Sequence, residues 1–283
     1  MIAGSFGRKR IPPRWGNRAE APGKFKASAA ALIILVLMFS GCRPSLAGKI
    51  FDTPFPVVDR SGNSREYRLF MPARMDSRFP LLIYFHGVIS PGFKNIPSLK
   101  NYTGSPVEET ELIPFCRTRG IALLAPKARY EYTFLNCPSV GWLTEKELDG
   151  VEKIIDTVVE HFAVDRQKIY LAGISAGAVF SHFLANSRPH FFSAVVSHSQ
   201  AYISEKGEVL RPVEKGPQFG VVFCYNIGDY PELIRFCIDS ERMYSQEGYR
   251  TTLLPDLPPE GHAWSSVNNE RFWKWLLRLG RQE

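Results

Sequence analysis

The sequence predicts an α/β protein with a mostly parallel central sheet and helices on both faces. Two observations carry this prediction. Short, continuously apolar runs recur along the chain from about residue 50, and such runs are typical of strands buried on both faces of a parallel sheet. Segments with helical apolar spacing alternate with them, which is the order expected when helices connect parallel strands.

The strands are predicted in the following order along the chain. An early pair, near 55–58 and 65–70, alternates apolar and polar residues and suits an antiparallel edge. A continuous apolar run over 80–85 then ends at His86-Gly87. Further buried strands are predicted over 121–125, 169–172, 194–196, 221–224 and 251–254.

Three helices are predicted between and after these strands. The clearest begins at Thr144, because Thr144 and Glu147 have the spacing of a capping box. The others cover 176–185 and about 268–279. The apolar residues that form one face of the first helix are Leu148, Val151, Ile155, Val158 and Phe162, and those of the last are Phe272, Trp275, Leu276 and Leu279.

A glycine-flanked serine joins a predicted strand to a predicted helix. Residues 173–177 read Gly-Ile-Ser-Ala-Gly, which is the G-x-S-x-G pattern. In this strand–turn–helix context the pattern presents the Ser175 hydroxyl at the carboxyl end of the strand, beside the positive N-terminus of the helix. Because a serine hydroxyl is a weak nucleophile on its own, a base must lie nearby.

His262 is the predicted base. It lies in a loop between the last strand and the last helix, reading Glu-Gly-His-Ala-Trp, where the order Ser…Asp/Glu…His places the histidine. The remaining histidines are predicted to end a strand (His86), to end a helix (His161), to lie beyond reach on the helix after Ser175 (His182), or to be polar surface (His190 and His198).

The remaining groups of a catalytic serine site also have candidates. Asp229 follows the strand over 221–224 and is the predicted acid that orients the imidazole, with Glu232 and Asp256 as alternatives. An oxyanion hole needs two backbone N–H groups. Ala176, directly after the nucleophile, and Val88, after His86-Gly87, are the predicted donors; alternatively, His86-Gly87 only ends its strand.

Five segments together carry a resemblance to a known family, and they are 67–72, 81–87, 164–170, 173–177 and 261–264. On these segments the chain resembles the α/β-hydrolase fold, and within it the group of secreted esterases that contains polyhydroxybutyrate depolymerases and feruloyl esterases. Two positions depart from that group: Ala178 stands where another glycine is common, and 225–229 lacks a His-Gly opening before the acid.

The resemblance implies hydrolysis of a carboxylic ester through an acyl-enzyme on Ser175. Only 24 residues separate Val196 from Val221, too few for a large cap domain, which favours a site open to bulky or polymeric esters. Two alternatives stay open: a serine peptidase of the prolyl-oligopeptidase kind, and a catalytically silent envelope lipoprotein that uses the fold for binding. The candidate pocket residues are Trp142, Trp264 and Tyr130.

The formal net charge of +7 is concentrated at the N-terminus. Residues 1–26 contain seven Lys and Arg against one Glu, which leaves +1 for 43–283, so the charge gives no support to a nucleic-acid partner. An uncharged apolar run over 27–39 follows, and together these features predict a signal peptide over 1–42. A single catalytic domain is predicted over 43–283.

The end of this leader reads Phe-Ser-Gly-Cys and resembles a bacterial lipobox, which implies a lipid on Cys42. Cleavage after Ser-Leu-Ala at 45–47 is the alternative, so we expect either a cell-envelope lipoprotein or a secreted or periplasmic protein. Membrane contact is expected only through that lipid. The other cysteines allow three pairings or four free thiols, and with no metal-ligand spacing we predict neither metal nor cofactor: they are Cys116, Cys137, Cys224 and Cys237.

Overall fold

The computed structural model describes residues 46–75, 78–92, 105–134, 136–142, 144–213, 215, 218–256 and 261–279. The predicted leader and Cys42 lie outside these residues. An eight-stranded sheet organises the described chain. Its strands are β1 (Ile50–Asp52), β4 (Tyr67–Phe70), β5 (Phe79–Phe85), β6 (Ala122–Pro126), β9 (Val164–Ile174), β10 (Ala194–His198), β11 (Gly220–Asn226) and β12 (Thr251–Asp256). Their order across the sheet is β1-β4-β6-β5-β9-β10-β11-β12.

Six neighbouring strands of this sheet are mutually parallel, which confirms the predicted sheet type; across the sheet they are β6, β5, β9, β10, β11 and β12. Each of the six continuously apolar runs predicted as buried strands after residue 79 forms one of these strands. Side chains alternate between the two faces: Leu81, Ile83 and Phe85 of β5 join one core, and Leu82 and Tyr84 join the other. An uninterrupted apolar run is therefore the pattern that this doubly covered sheet requires.

Helices cover both faces, as the sequence predicts. Three of them contribute to the core on one face, where Val151, Phe180 and Tyr244 are buried. Two contribute to the core on the other, where Leu112 and Phe272 are buried. In chain order the helices are α1 (Leu112–Thr118), α2 (Thr144–His161), α3 (Ala176–Ser187), α4 (Pro231–Gln246) and α5 (Val267–Leu279), with a short 3-10 turn at Val107–Glu109.

The predicted antiparallel edge was only partly right. Val57–Val58 (β2) pairs with Ser64–Arg65 (β3) in a separate small ladder, because the chain turns back sharply between them. The edge of the main sheet instead consists of β1 and β4, with β1 antiparallel to β4 and β4 antiparallel to β6.

Several elements of the structure were not predicted from the sequence. Among them are β1 and α1, as well as a hairpin in a segment predicted as loop and the helix after β11. Residues 130–141 form a hairpin of Tyr130–Phe134 (β7) and Cys137–Gly141 (β8), which a backbone bridge between Ile89 and Val140 joins to the segment after β5. The alternating Tyr-Glu-Tyr-Thr-Phe sequence of β7 was a strand signal. Helix α4 begins at Pro231, a favourable first helical position because proline lacks the N–H that would be unpaired there.

Helix α2 begins at Thr144 as predicted, but Glu147 has a tertiary role. Its buried carboxylate pairs with the buried guanidinium of Arg65 and accepts the backbone N–H of Arg129 at 2.8 Å. A second carboxylate, on Asp59, lies 3.8 Å from Arg65. Glu147, whose spacing from Thr144 suggested a capping box, thus anchors β3 and the start of the hairpin to α2.

The topology brings the carboxyl ends of β9, β10, β11 and β12 side by side. These four strands are adjacent and parallel, so the segments that follow them leave the sheet along one edge. Ligands of open α/β sheets bind at this edge. Within the part of the chain described, no helix is long and apolar enough to cross a membrane.

Candidate active site

Ser175 occupies a strained turn between β9 and α3. Its φ and ψ of 55° and −124° lie outside the regions that a non-glycine residue normally adopts, a strain typically costing about 1–3 kcal/mol and common at functional sites. Hydrogen bonds hold the turn on both sides: the Ser175 N–H donates to the His198 carbonyl at 3.0 Å, and the Ser175 carbonyl accepts from Ala178 at 3.0 Å.

The two glycines of the motif are required by contact between backbones. A Cβ added at Gly173 would lie 2.3 Å from the carbonyl oxygen of Gly177. One added at Gly177 would lie 2.2 Å from the carbonyl oxygen of Phe85 and 2.5 Å from that of His86. The pattern therefore lets the start of α3 approach β5 closely, which brings Ser175 next to the segment that follows β5.

Asp229 and His262 are in direct contact. The His262 Nδ1 lies 3.1 Å from Oδ1 and 3.2 Å from Oδ2 of Asp229, whose side chain is fully buried. The Tyr230 N–H also donates to Asp229 Oδ1, at 2.7 Å. Since a carboxylate only accepts, Nδ1 of His262 carries the proton, which leaves Nε2 of a neutral ring as the basic atom.

The loop that bears His262 is tied to the end of β11. The Asn226 side-chain amide donates to the carbonyls of Gly261 and Ala263, at 2.8 and 2.9 Å, so it holds the residues on either side of His262. Sequence reasoning missed Asn226. The signal was its position as the last residue of a strand that precedes the acid.

The two alternative acids contact other groups. Asp256 is buried and accepts the hydroxyl of Ser265 in a short hydrogen bond. Glu232 is exposed in the first turn of α4, where a carboxylate stabilises the helix dipole. Of the three acids considered, the structure brings Asp229 to His262.

The segment after β5 is held rigidly beside the Ser175 turn. The Trp142 indole N–H donates to the His86 carbonyl at 2.8 Å, and the Ala128 N–H donates to His86 Nε2 at 3.3 Å. Nδ1 of His86 lies 2.6 Å from the Gly87 carbonyl. Burial lowers the pKa of His86 to about 4, so its ring is neutral and supports the segment that leads into Val88.

The two predicted oxyanion donors lie in segments that approach each other. Ala176 is the first residue of α3, and a first-turn N–H has no acceptor within its helix. Val88 is buried two residues after His86, whose carbonyl lies close to Gly177 at the start of α3. It comes directly before Ile89, whose backbone pairs with Val140 at 2.9 Å in both directions. Their role as oxyanion donors stays a prediction.

The two tryptophans predicted to line a pocket are core residues. Trp142 is buried, stacks on Phe180 with ring centroids 5.0 Å apart, and donates its indole N–H to the His86 carbonyl. Trp264 is buried and donates its indole N–H to Asn269 at 3.0 Å. Neither ring can line an exposed pocket rim, because both pack into the cores on the faces of the sheet. Tyr130 is half-buried at the start of β7, with the Lys146 ammonium 5.4 Å from its ring.

The prediction that His198 is polar surface was wrong, whereas His190 is exposed as predicted. His198 is the last residue of β10, and its side chain is fully buried between the Ser175 turn and the His262 loop. His161 ends α2 as predicted, and its Nδ1 lies 2.8 Å from the Thr157 carbonyl. His182 is buried on α3, 3.0 Å from the Tyr244 hydroxyl.

The four cysteines of the described chain are free thiols. Cys116, Cys224 and Cys237 are buried, which raises the pKa of each thiol far above its usual range. Cys137 is half-buried in β8. Among the residues that the structure covers, no group of three or more His, Cys, Asp or Glu side chains is placed to hold a metal ion.

Comparison with solved structures identifies the architecture. Est1E from Butyrivibrio proteoclasticus superposes with a TM-score of 0.56 at 14% identity, covering 81% of this chain and 99% of that one. An esterase from Pyrobaculum calidifontis superposes with a TM-score of 0.51 at 14% identity, covering 89% and 90%. The chain has the α/β-hydrolase fold. At these identities the superpositions establish the fold alone.

Sequence comparisons agree with this fold and point to esterases. Residues 121–213, which include the Ser175 motif, match the family model described as Esterase PHB depolymerase. Acetylxylan esterase A of Aspergillus oryzae is 21% identical over 144 residues, covering 50% of this chain and 43% of that protein. Acetylxylan esterase A of Emericella nidulans is 22% identical over 101 residues, covering 35% and 32%. The chain thus spans less than half the length of the curated relatives it matches.

Proposed function

We propose that the protein is an exported serine hydrolase that cleaves carboxylic esters through an acyl-enzyme. The observation that carries the proposal is the pairing of a strained Ser175 turn with an Asp229–His262 hydrogen bond of 3.1 Å at the same edge of the sheet. The match of 121–213 to an esterase family and the similarity to acetylxylan esterases support the same reaction class.

In the proposed first step, Nε2 of His262 takes the proton of the Ser175 hydroxyl as its oxygen attacks the ester carbonyl. The His262 ring becomes positively charged, and the buried carboxylate of Asp229 stabilises that charge while it fixes the ring's orientation. The N–H groups of Ala176 and Val88 would stabilise the negative oxygen of the tetrahedral intermediate.

Collapse of this intermediate releases the alcohol, which takes its proton from His262 and leaves Ser175 acylated. Water then attacks the acyl group while His262 takes one of its protons. The second tetrahedral intermediate collapses, the Ser175 oxygen regains the proton from His262, and the carboxylic acid leaves. Each half-reaction uses the same base and the same N–H donors, so no further cofactor is needed to balance it.

Within this class we propose a bulky or polymeric ester as the natural substrate. Support comes from the described residues between β10 and β11, which form turns and a short Ile203–Val209 bridge rather than a cap domain. Ser175 is itself partly exposed. The esters carried by acetylated xylan, feruloylated polysaccharide and polyhydroxyalkanoate are the candidates to compare.

The export part of the proposal rests on the leader sequence over 1–42. N-terminal sequencing and mass spectrometry of the mature protein from a bacterial host distinguish its two forms. A lipid-modified Cys42 supports the lipoprotein, a start after Ala47 supports ordinary cleavage, and an intact leader on cytoplasmic protein contradicts export.

The catalytic part is tested by comparing wild type and Ser175→Ala on short p-nitrophenyl esters. We expect kcat to fall at least about 10⁴-fold, because the nucleophile is lost while the fold is kept. Ser187→Ala, at the exposed end of the same helix, is the matched control and should retain the rate. Equal turnover by wild type and Ser175→Ala would refute the assignment. Cleavage of peptide p-nitroanilides, but of no ester, would favour a peptidase.

A further inference from the structure

His198 lies between the elements that supply the proposed triad. It is the last residue of β10, which runs between β9 and β11, and it pairs in register with Ile174 and Cys224. Ile174 directly precedes Ser175, and Asp229 follows the end of β11. Although a histidine at a strand end is usually solvated, the side chain of His198 is completely buried.

His198 forms hydrogen bonds with both halves of the proposed site. Its backbone carbonyl accepts the N–H of Ser175 at 3.0 Å, within the strained turn. Its side-chain Nε2 accepts the N–H of Ser265 at 3.1 Å, three residues beyond His262. The ring also packs against Trp264, with centroids 5.1 Å apart. One residue therefore joins the turn of the nucleophile to the loop of the base.

The hydrogen bonds fix the protonation of this ring. A backbone N–H can only donate, so Nε2 is unprotonated, and the single ring proton lies on Nδ1, 2.9 Å from the Ser199 hydroxyl oxygen. The pKa of His198 is lowered to about 3, chiefly by burial; the charge of Asp229 raises it and that of His262 lowers it. His198 is therefore uncharged near neutral pH.

A neutral ring at this place has two consequences. First, only the neutral ring can accept the Ser265 N–H at Nε2. A protonated Nε2 would itself carry a hydrogen and would point it at the Ser265 N–H. Second, the neutral ring adds no positive charge beside His262, which becomes positively charged during the proposed reaction. Both consequences follow from the surroundings of His198 rather than from its residue type.

We infer that His198 is a positioning residue, which sets the placement of His262 relative to Ser175 through the hydrogen bond between its Nε2 and the Ser265 N–H. The expected effect on rate rests on the proposed ester hydrolysis. The hydrogen bond between His198 and Ser265 rests on the structure alone. The role of His198 differs from that of Asn226, which holds Gly261 and Ala263 from the side of β11.

Two substitutions separate the hydrogen bond from the bulk of the ring. In His198→Gln the amide oxygen is three bonds from Cβ, as Nε2 is, so it can still accept from Ser265. In His198→Asn the amide reaches only as far as Nδ1, and the Ser265 N–H is left without its acceptor. We expect kcat per active site to fall about 10- to 100-fold in His198→Asn, because a misplacement near 1 Å can cost about that much, and to recover substantially in His198→Gln.

The kinetic measurement counts only intact sites. Active-site titration with a fluorophosphonate gives the concentration of reactive Ser175, so kcat per titrated site is insensitive to partial unfolding. KM for a small p-nitrophenyl ester should stay within about twofold, since the change affects orientation in the transition state rather than ground-state binding. His182 is the matched control, because it is equally buried and contacts Tyr244 instead. His182→Asn should lower the melting temperature and leave kcat per site unchanged.

Amide hydrogen exchange at Ser265, followed by NMR, measures the bond without reference to activity. We expect Ser265 to be protected in wild type and in His198→Gln, and to lose protection in His198→Asn. Unchanged exchange, or a kcat per site equal to wild type in His198→Asn, would overturn the inference. A wild type that hydrolyses no ester would refute the proposed function instead, and the exchange result would still decide whether His198 holds the loop.

Discussion

Replacing Gly177 with alanine tests the close approach on which the proposed oxyanion hole depends. The added Cβ would lie 2.2 Å from the carbonyl oxygen of Phe85 and 2.5 Å from that of His86. Ordinary contact begins near 3.4 Å, so the start of α3 and the end of β5 must separate by about 1.2 Å. The His86 carbonyl resists this movement because it also accepts the Trp142 indole N–H.

That separation should act on both stability and rate. Overpacking at a rigid backbone contact typically costs about 1–3 kcal/mol of the free energy of unfolding. It should also move the start of α3, with the Ala176 N–H, away from the segment that carries Val88, and so disrupt the proposed pair of oxyanion donors. A misplacement of this size should lower kcat about 100-fold, or roughly 2.7 kcal/mol in the activation free energy.

The assay is kcat per titrated Ser175 on p-nitrophenyl acetate, together with the melting temperature. Gly62→Ala is the control for adding a methyl group without a contact, because nothing lies within 4 Å of the added Cβ, although Gly62 has a φ of +79° that disfavours alanine. It should lose about 1 kcal/mol of stability and keep the wild-type rate. A Gly177→Ala protein with wild-type kcat would refute the reasoning, since it would mean that the contact does not position the donors.

Two further predictions concern charge. Asp229→Asn should lower kcat about 10⁴-fold near neutral pH, because an amide no longer fixes the tautomer of His262 or stabilises its charged form. The control is Glu232→Gln, an exposed position at which the rate should be kept. Equal losses of kcat by the two variants in steady-state assays would contradict the assignment of Asp229. Three buried histidines should make the fold acid-sensitive, since burial lowers the pKa of His86 to about 4 and those of His182 and His198 to about 3. Only the unfolded chain takes up these protons near pH 6.5, so stability is full above that pH and falls toward pH 4, by up to about 1.4 kcal/mol per pH unit for each histidine. Urea denaturation at pH 7, 6 and 5 measures this fall, His182→Gln should reduce its slope by about one third, and a constant free energy of unfolding would contradict it.

The features predicted well from sequence are those that local pattern determines. Uninterrupted apolar runs predicted the strands because a sheet covered on both faces buries every side chain of a strand. The Ser175 turn was recognisable because two backbone contacts exclude any side chain at Gly173 and Gly177. The contact between Asp229 and His262 followed from chain order, because β11 and β12 are adjacent and parallel.

The features predicted poorly depend on what packs over them. Trp142 lies in a segment that reads as an aromatic loop, yet the hairpin of β7 and β8 returns it beneath the His86 carbonyl and against Phe180. His198 follows a short apolar run and reads as a solvated strand end. Its burial comes from the Ser175 turn and from the 261–265 loop, which is distant in sequence. No local pattern contains that information.

The surroundings of each ring, rather than residue type, separate the proposed base from the supporting histidines. His86 and His198 both accept a backbone N–H at Nε2, from Ala128 and Ser265, and protonation there would place two N–H groups face to face. At His262 the partner of Nδ1 is instead the carboxylate of Asp229, at 3.1 Å. Two uncharged rings thus hold the segments on either side of Ser175, and the proposed base is the histidine whose ring contacts a carboxylate rather than a backbone N–H.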